Sequence, residues 1–208
     1  MNRTPSRAPK RRTRRDEQRE LTRGKLLEAA RKLFRDYGYE DVSVTEIGKE
    51  AGVSHTLINA YFHGKAGLLY EIVRENNAPQ WPILIEAAGN DDDPKDRLWN
   101  MLDIAGRKDG EDPRLLAVMQ SYAWLWPEEI EVANRADRLL FKELIAKVIE
   151  AGQASGAFRT DIDPLQTARV IFAVYTWELR STVFKDTSLE SALANMRAYI
   201  GNLILVDH

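Results

Sequence analysis

The stretch of sequence that most limits the fold is SVTEIGKEAGVSHTLINAYF, residues 43–62. Ser43 followed by Glu46 is the capping-box pattern that opens a helix, and Gly52 then permits a sharp turn. Ser54 follows as the N-cap of a second short helix that is rich in polar residues. Two short helices joined in this way are typical of a helix-turn-helix, whose second helix places its polar side in the major groove of DNA.

Helical patterning extends through the rest of the chain. Apolar residues recur at helical spacing from about Leu21 to Tyr37, and Gly38 follows as a candidate C-terminal cap. Three Asp-Pro pairs, at 93–94, 112–113 and 163–164, each place an N-cap acid before a proline suited to the first helical position. Further helices are expected at about 65–77, 80–89, 94–107, 113–125, 128–151, 164–184 and 188–205. No strand-like alternation of useful length is present, so the predicted fold class is all-α.

The charges are distributed unevenly along the chain. The first 15 residues contain seven lysines and arginines and no acid. Residues 1–75 hold 16 basic and 11 acidic side chains, whereas the remainder holds 14 and 21. A basic end on an acidic body indicates contact with a polyanion, although a tail of this kind can also serve only solubility. We predict a flexible basic arm over residues 1–20, with these candidate DNA-contacting cations: Lys10, Arg11, Arg12, Arg14 and Arg15.

Composition argues against several other classes of protein. The chain has no cysteine, and its histidines, His55, His63 and His208, lie in separate elements, so we expect neither a metal nor another cofactor. It has no apolar run long enough to cross a membrane and no signal peptide, which favours a cytoplasmic location. It also lacks a nucleophile–base pair and a glycine-rich phosphate loop, so we do not expect an enzyme.

The segment LLEAARKLFRDYGYEDVSVTEIGKEAGVSHTLINAYFHGKAGLL resembles the DNA-binding domain of the TetR (tetracycline repressor) family of transcriptional regulators. The shared features include the Ala-Gly-Val-Ser turn, the Tyr61–Phe62 pair and the following Lys65. The resemblance implies a helix-turn-helix domain of three helices over residues 21–68 and a helical ligand-binding and dimerisation domain over residues 69–208. It further implies a homodimeric repressor that binds a palindromic operator in double-stranded DNA and is released by a small-molecule effector.

The resemblance also assigns roles to single residues. Tyr61 and Lys65 occupy positions that contact backbone phosphates, which suits a hydroxyl donor and an ammonium group at a helix N-terminus. The alternative for Tyr61 is a core aromatic beside Phe62. Leu57 either touches a thymine methyl group or is buried. His63 and Gly64 stand where Pro-Ser or Pro-Asn is common in the family. The candidate DNA-binding residues are Thr45, Ser54, His55, Thr56, Leu57, Asn59, Ala60, Tyr61 and Lys65.

Aromatic residues and methionines in the middle and penultimate helices suggest a chamber for a bulky, largely apolar ligand. Gln120, Tyr122 and Asn134 could supply orienting hydrogen bonds there. The alternative is an ordinary core. The candidate pocket residues are Trp99, Met101, Met119, Tyr122, Trp126, Phe172 and Tyr175.

The last two predicted helices are apolar on nearly every side, which indicates burial on every side. A four-helix interface between two copies would supply the missing cover, and the alternative is one large monomeric core. The candidate interface residues are Val174, Leu189, Leu193, Met196, Ile200 and Leu203. Alternatives for the function are an activator or a ligand-independent regulator of the same fold, or a small-molecule carrier or enzyme that uses the chamber.

Overall fold

The computed structural model describes residues 13–122 and 126–206. Over these residues the chain forms helices and no strand, apart from an isolated bridge between Phe158 and Leu205, and the all-α prediction is confirmed. The helices are α1 (Arg14–Tyr37), α2 (Val44–Ala51), α3 (Thr56–Phe62), α4 (Lys65–Asn77), α5 (Gln80–Gly89), α6 (Pro94–Gly110), α7 (Pro113–Ser121), α8 (Glu128–Ser155), α9 (Pro164–Val183) and α10 (Leu189–Ile204). None of these helices combines the length and apolarity that a membrane crossing requires.

Helix α1 begins earlier than the sequence pattern suggests. Thr13 Oγ1 accepts a hydrogen bond from the Asp16 backbone N–H at 3.2 Å, and Asp16 Oδ2 accepts one from the Thr13 backbone N–H at 3.0 Å. This capping box starts the helix at Arg14. The prediction of a flexible arm is therefore wrong for residues 14–20, and Arg14 and Arg15 are helical. Lys10, Arg11 and Arg12 lie outside the described residues.

The contacts divide the chain into two units, with the division between Ile72 and Val73 inside α4. The predicted boundary, between residues 68 and 69, lies one helical turn earlier. In the N-terminal unit, α1, α2, α3 and the first part of α4 surround a small apolar core. Its buried residues are Leu26, Leu27, Ala29, Ala30, Val42, Ile47, Ile58, Phe62, Leu68 and Ile72.

The C-terminal unit has a larger core, to which α5, α6, α8, α9 and α10 all contribute. One close approach in it depends on glycine. The Phe158 ring lies against the backbone of α8 at Gly152, where a Cβ atom would come within 2.0 Å of the ring. The Arg159 backbone N–H also donates to the Ile204 carbonyl at 2.9 Å, which joins the segment after α8 to the end of α10.

The structure corrects the predicted dimer interface. Leu193, Met196 and Ile200 are only 4%, 1% and 0% exposed, and all three belong to the core of the C-terminal unit. The face of α10 that carries them packs within its own unit and needs no partner. The other predicted interface residues, Val174, Leu189 and Leu203, are partly buried against the same core.

Candidate functional site

Helix α2 and the turn after it have the predicted helix-turn-helix geometry. Ser43 Oγ accepts from the Glu46 backbone N–H at 3.2 Å, and Glu46 Oε2 accepts from the Ser43 backbone N–H at 2.8 Å. The hydrogen bonds from Ser43 lower the pKa of the Glu46 carboxyl group. Gly52 ends α2 in the left-handed conformation, with φ at 67°, and its N–H donates back to the Lys49 carbonyl at 3.2 Å. Both features were expected from the sequence.

A second glycine in this motif was not recognised from the sequence. Gly48 lies against the start of α3, and a Cβ atom there would come within 2.8 Å of the His55 backbone nitrogen and 2.9 Å of its Cα. These are backbone atoms that cannot move aside as a flexible side chain can. Gly48 therefore sets the distance between α2 and α3.

Helix α3 separates a buried side from an exposed one. It begins at Thr56, whose backbone N–H donates to Ser54 Oγ at 3.4 Å, while Ile58 and Phe62 are buried in the N-terminal core. Leu57 is partly buried and packs against that core, so the structure supports packing for this residue. The remaining predicted contacts on α2 and α3 are exposed, namely Thr45, Ser54, His55, Thr56, Asn59 and Ala60.

Tyr61 lies at the edge of this surface and is only partly buried, packed edge-to-face on Phe62 with ring centroids 6.4 Å apart. The guanidinium of Arg19, from α1, lies 5.4 Å from the centroid of the Tyr61 ring. Arg19 was placed in the flexible arm by the sequence analysis. The unrecognised capping box at Thr13 was the signal that could have placed Arg19 in a helix next to Tyr61.

Lys65 is the first residue of α4 and is held by the loop that follows α1. Its Nζ lies 4.2 Å from the centroid of the Tyr39 ring and donates to the Glu40 carbonyl at 3.4 Å. Burial lowers the pKa of the Lys65 ammonium, while the nearby carboxylates of Glu40, Asp41 and Glu46 act in the opposite direction. The chain reaches Lys65 through His63, which caps α3 in a left-handed conformation with φ at 58°.

A cavity of about 1080 Å³ lies in the C-terminal unit, between α7, α8 and α9. Its lining residues are Ala117, Gln120, Ser121, Trp126, Glu131, Arg138, Phe172, Ala173, Thr176, Trp177, Arg180, Val183 and Phe184. Among the predicted pocket residues, this set contains Trp126 and Phe172. Arg138, Trp177, Arg180 and Phe184 were not proposed from the sequence.

The other predicted pocket residues lie elsewhere. Met101 and Tyr175 belong to the buried core, and Trp99 packs against it. Met119 lines a separate cavity of about 130 Å³, while Tyr122 packs against Trp126 with ring centroids 5.2 Å apart and ring planes tilted by 38°. Residues on one helix were grouped by type in the sequence analysis, although the helix directs them to different sides.

Three hydrogen bonds connect polar groups in the interior of the C-terminal unit. With its amide oriented so that the oxygen accepts, the buried Asn134 receives hydrogen bonds from Trp126 Nε1 at 3.0 Å and Arg138 Nη1 at 2.5 Å. On the core side of α9, Tyr175 Oη donates to Asp109 Oδ2 at 2.6 Å. Desolvation raises the pKa of the Asp109 carboxyl, and the hydrogen bond from Tyr175 and the charge of Lys108 partly oppose this.

Within residues 13–122 and 126–206, no three metal-ligating side chains of histidine, aspartate or glutamate converge. The surface around α3 and the cavity in the C-terminal unit are two features whose chemistry points to binding.

Comparison with known proteins gives a consistent identification. Residues 26–72 match the family model of bacterial regulatory proteins of the tetR family. A segment of 69 residues is 43% identical to the probable HTH-type transcriptional regulator YttP of Bacillus subtilis and covers 33% of each chain. The chain thus spans about a third of the length of this curated relative.

Solved structures extend the similarity of fold to nearly the whole chain. FadR of Thermus thermophilus, a repressor crystallised with lauroyl-CoA, has a TM-score of 0.71 at 21% identity, covering 89% of this chain and 96% of that one. NalD of Pseudomonas aeruginosa, a repressor of a multidrug efflux pump, has a TM-score of 0.71 at 20% identity, covering 91% and 100%. The helix-turn-helix geometry and the family match over residues 26–72 identify the N-terminal unit as a DNA-binding domain of the kind found in bacterial regulatory proteins of the tetR family, and the solved structures show that the rest of the chain shares their fold.

Proposed function

We propose that this chain acts as a homodimer that binds a palindromic DNA operator, represses transcription and leaves the DNA when a small, largely apolar molecule binds its C-terminal unit. The observation that carries the proposal is the two-sided character of α3. Its buried side fixes it to the N-terminal core, while His55, Thr56 and Asn59 are exposed. A polar helix face held in this way can enter a major groove without loss of packing.

The contacts with DNA divide into two kinds. Asn59 can make paired hydrogen bonds with adenine, and His55 and Thr56 can reach neighbouring base edges, so these residues give sequence preference. Tyr61 and Lys65 lie at the end of α3 and the start of α4 and supply contacts to phosphates. The charge and hydroxyl of these two residues strengthen binding to any DNA sequence.

Dimerisation brings two such surfaces to successive major grooves, which lie roughly 34 Å apart. Because the core side of α10 is buried within its own unit, we propose that the dimer interface uses the outward faces of α9 and α10 instead. Val170 is 48% exposed on α9 and Tyr199 is 54% exposed on α10. A twofold-related copy would cover these apolar groups with the same groups of its own.

Release from DNA needs a ligand that binds one dimer arrangement better than another. The large cavity supplies the binding site, and repressors that share this fold include one crystallised with lauroyl-CoA. Helix α4 starts at Lys65 and runs without a break to Asn77, so it connects the DNA surface with the C-terminal unit. A cytoplasmic location, where chromosomal DNA is accessible, forms part of this proposal.

An electrophoretic shift assay with the DNA upstream of the chain's own gene tests the proposal. We expect a discrete complex with this DNA at lower protein concentration than with a shuffled sequence of equal length. Asn59→Ala should reduce the difference between the two DNAs, whereas Lys65→Ala should weaken both. Equal binding to both DNAs by the unmodified protein would contradict sequence-specific regulation through this site.

A further inference from the structure

The walls of the large cavity are mainly aromatic. Trp126, from the segment before α8, and Phe172, Trp177 and Phe184, from α9 and the residue after it, all line the cavity. Cavities that bind small molecules commonly have apolar and aromatic walls with a few polar groups that fix the orientation of the ligand. The identity of those polar groups therefore indicates the chemistry of the ligand.

Most polar side chains at the cavity already have partners within the protein. Gln120 Nε2 donates to the Thr176 carbonyl at 3.1 Å, and the Thr176 hydroxyl donates to the Phe172 carbonyl at 2.8 Å. Arg138 Nη2 forms an ion pair with Glu131 Oε1 at 2.6 Å. The positive charge of Arg138 is thus balanced by a carboxylate that lines the same cavity.

Arg180 differs from Arg138 in having no acidic partner among the described residues. Its guanidinium lies 5.3 Å from the centroid of the Trp177 ring and 4.8 Å from that of the Phe184 ring. Cation–π contacts of this length hold a guanidinium in place without neutralising its charge. Arg180 therefore presents an oriented, uncompensated positive charge at an aromatic wall.

The surroundings add to this positive potential. Lys142 Nζ lies 5.6 Å from the centroid of the Phe172 ring, on the helix that also carries Arg138. Burial lowers the pKa of Lys142, and the charges of Arg138 and Arg169 lower it further. Arg180 and Lys142 thus place positive charge at the aromatic wall, and a cationic ligand would be repelled there.

We propose that the cavity binds an organic anion with an apolar body, whose carboxylate or similar acidic group pairs with Arg180 and whose body lies along Trp126 and Phe172. A guanidinium accepts such a group through two parallel hydrogen bonds, which fixes the end of the ligand that faces it. This inference rests on the proposed function, because it assigns the effector of the regulator to a chemical class.

Calorimetric titration without DNA tests the inference with three probes that share a ten-carbon chain. Decanoate is anionic, decan-1-ol is neutral and decyltrimethylammonium is cationic. We expect decanoate to bind with one molecule per chain and about tenfold more tightly than decanol, as one charge-assisted contact would give. The cation should bind more weakly than decanol.

Variants locate the anion contact. Arg180→Gln should remove most of the preference for decanoate over decanol, while its retained affinity for decanol shows that the cavity is intact. Arg180→Lys should restore part of the preference. Lys147→Gln, which removes a charge from an exposed position of α8 outside the cavity, should change neither affinity.

The inference is overturned if decanol or the cation binds the unmodified protein as tightly as decanoate, or if Arg180→Gln keeps the preference. Failure of the proposed function has a different signature, since the protein would then bind decanoate as described but would not distinguish its upstream DNA from shuffled DNA.

Discussion

Helices α3 and α9 both expose one face, but the two faces differ in chemistry. The exposed residues of α3 and its N-cap include His55, Thr56 and Asn59, which water can hydrogen-bond when no DNA is bound. The exposed residues of α9 include Trp177 at 66%, and Phe184 just beyond the helix is 59% exposed. Apolar area left in water costs about 25 cal/mol per Å². The polar face of α3 is therefore stable in water without a partner. The apolar face of α9 is not, which indicates a surface that is covered during function.

The largest expected effect on stability distinguishes the core side of α10 from the exposed side of α9. Leu193→Glu places a carboxylate into the core of the C-terminal unit, and we expect the free energy of unfolding to fall by roughly 3–5 kcal/mol. Val170→Glu changes an exposed position of α9, so unfolding of the isolated chain should change by less than about 0.5 kcal/mol. Chemical denaturation measures both.

Sedimentation completes this comparison, because the proposed dimer has twice the 23.8 kDa chain mass and Val170→Glu should shift it toward a single chain. A Val170→Glu variant that remains fully dimeric would show that the dimer interface lies elsewhere. A Leu193→Glu variant that stays folded but becomes monomeric would restore the interface expected from the sequence.

The next effect tests how firmly the polar face is positioned. Gly48→Ala brings a methyl group against the His55 backbone, and we expect a loss of about 1–3 kcal/mol in stability together with weaker DNA binding. Gly24→Ala is the matched control, since Gly24 is exposed within α1 and has open space around it. This control should gain about 0.5–1 kcal/mol. Equal stability and equal DNA binding in the two variants would show that Gly48 does not set the position of α3.

A smaller effect concerns the phosphate contacts beside the polar face. Lys65→Ala should weaken binding to cognate and random DNA alike and reduce the salt slope by about one unit per half-site. Lys32→Ala removes a cation that is paired with Glu50 at 2.5 Å, and it should leave the slope unchanged. Titrations at several salt concentrations decide the matter. An unchanged slope in Lys65→Ala would mean that this lysine only supports the fold through Tyr39.

The smallest effect concerns the core side of α9, where Tyr175 meets Asp109. The pKa of Asp109 is raised in the folded protein, so the unfolded chain releases this proton first as pH rises above about 4. Stability therefore falls until pH passes the raised pKa. We expect Asp109→Asn to flatten this fall. Denaturation of both proteins between pH 4 and 7 measures it, and parallel pH profiles would contradict it.

The sequence predicted the helices better than it predicted their partners. Caps and turns are local, so Ser43, Gly52 and the Asp-Pro pairs placed α2, α6, α7 and α9 within a few residues. The one capping box that was overlooked, at Thr13, produced the largest error in a helix start. For α3, the turn before the helix also determines which face is exposed, so the sequence alone was enough to predict that face.

The C-terminal unit depended on information that a single sequence does not contain. Leu193 and Val170 are both apolar residues on apolar helices, yet Leu193 is buried and Val170 is exposed. The neighbouring helices cover only some sides of α9 and α10, and the sequence of a single helix does not show which sides those are. The sequence carried part of the signal for Arg180, since Trp177 lies three residues before it and Phe184 four residues after it, at helical spacing. That no acid among residues 13–122 and 126–206 pairs with Arg180 is visible only in the fold.

The contact between Phe158 and Gly152 has a consequence for how such chains diverge. The ring occupies the space that any side chain at position 152 would need. The two positions are therefore expected to change together in evolution, since a larger residue at 152 is tolerable only after position 158 has become smaller. In a set of related sequences, glycine at the first site should therefore accompany an aromatic residue at the second, and lineages that lost one should have lost both.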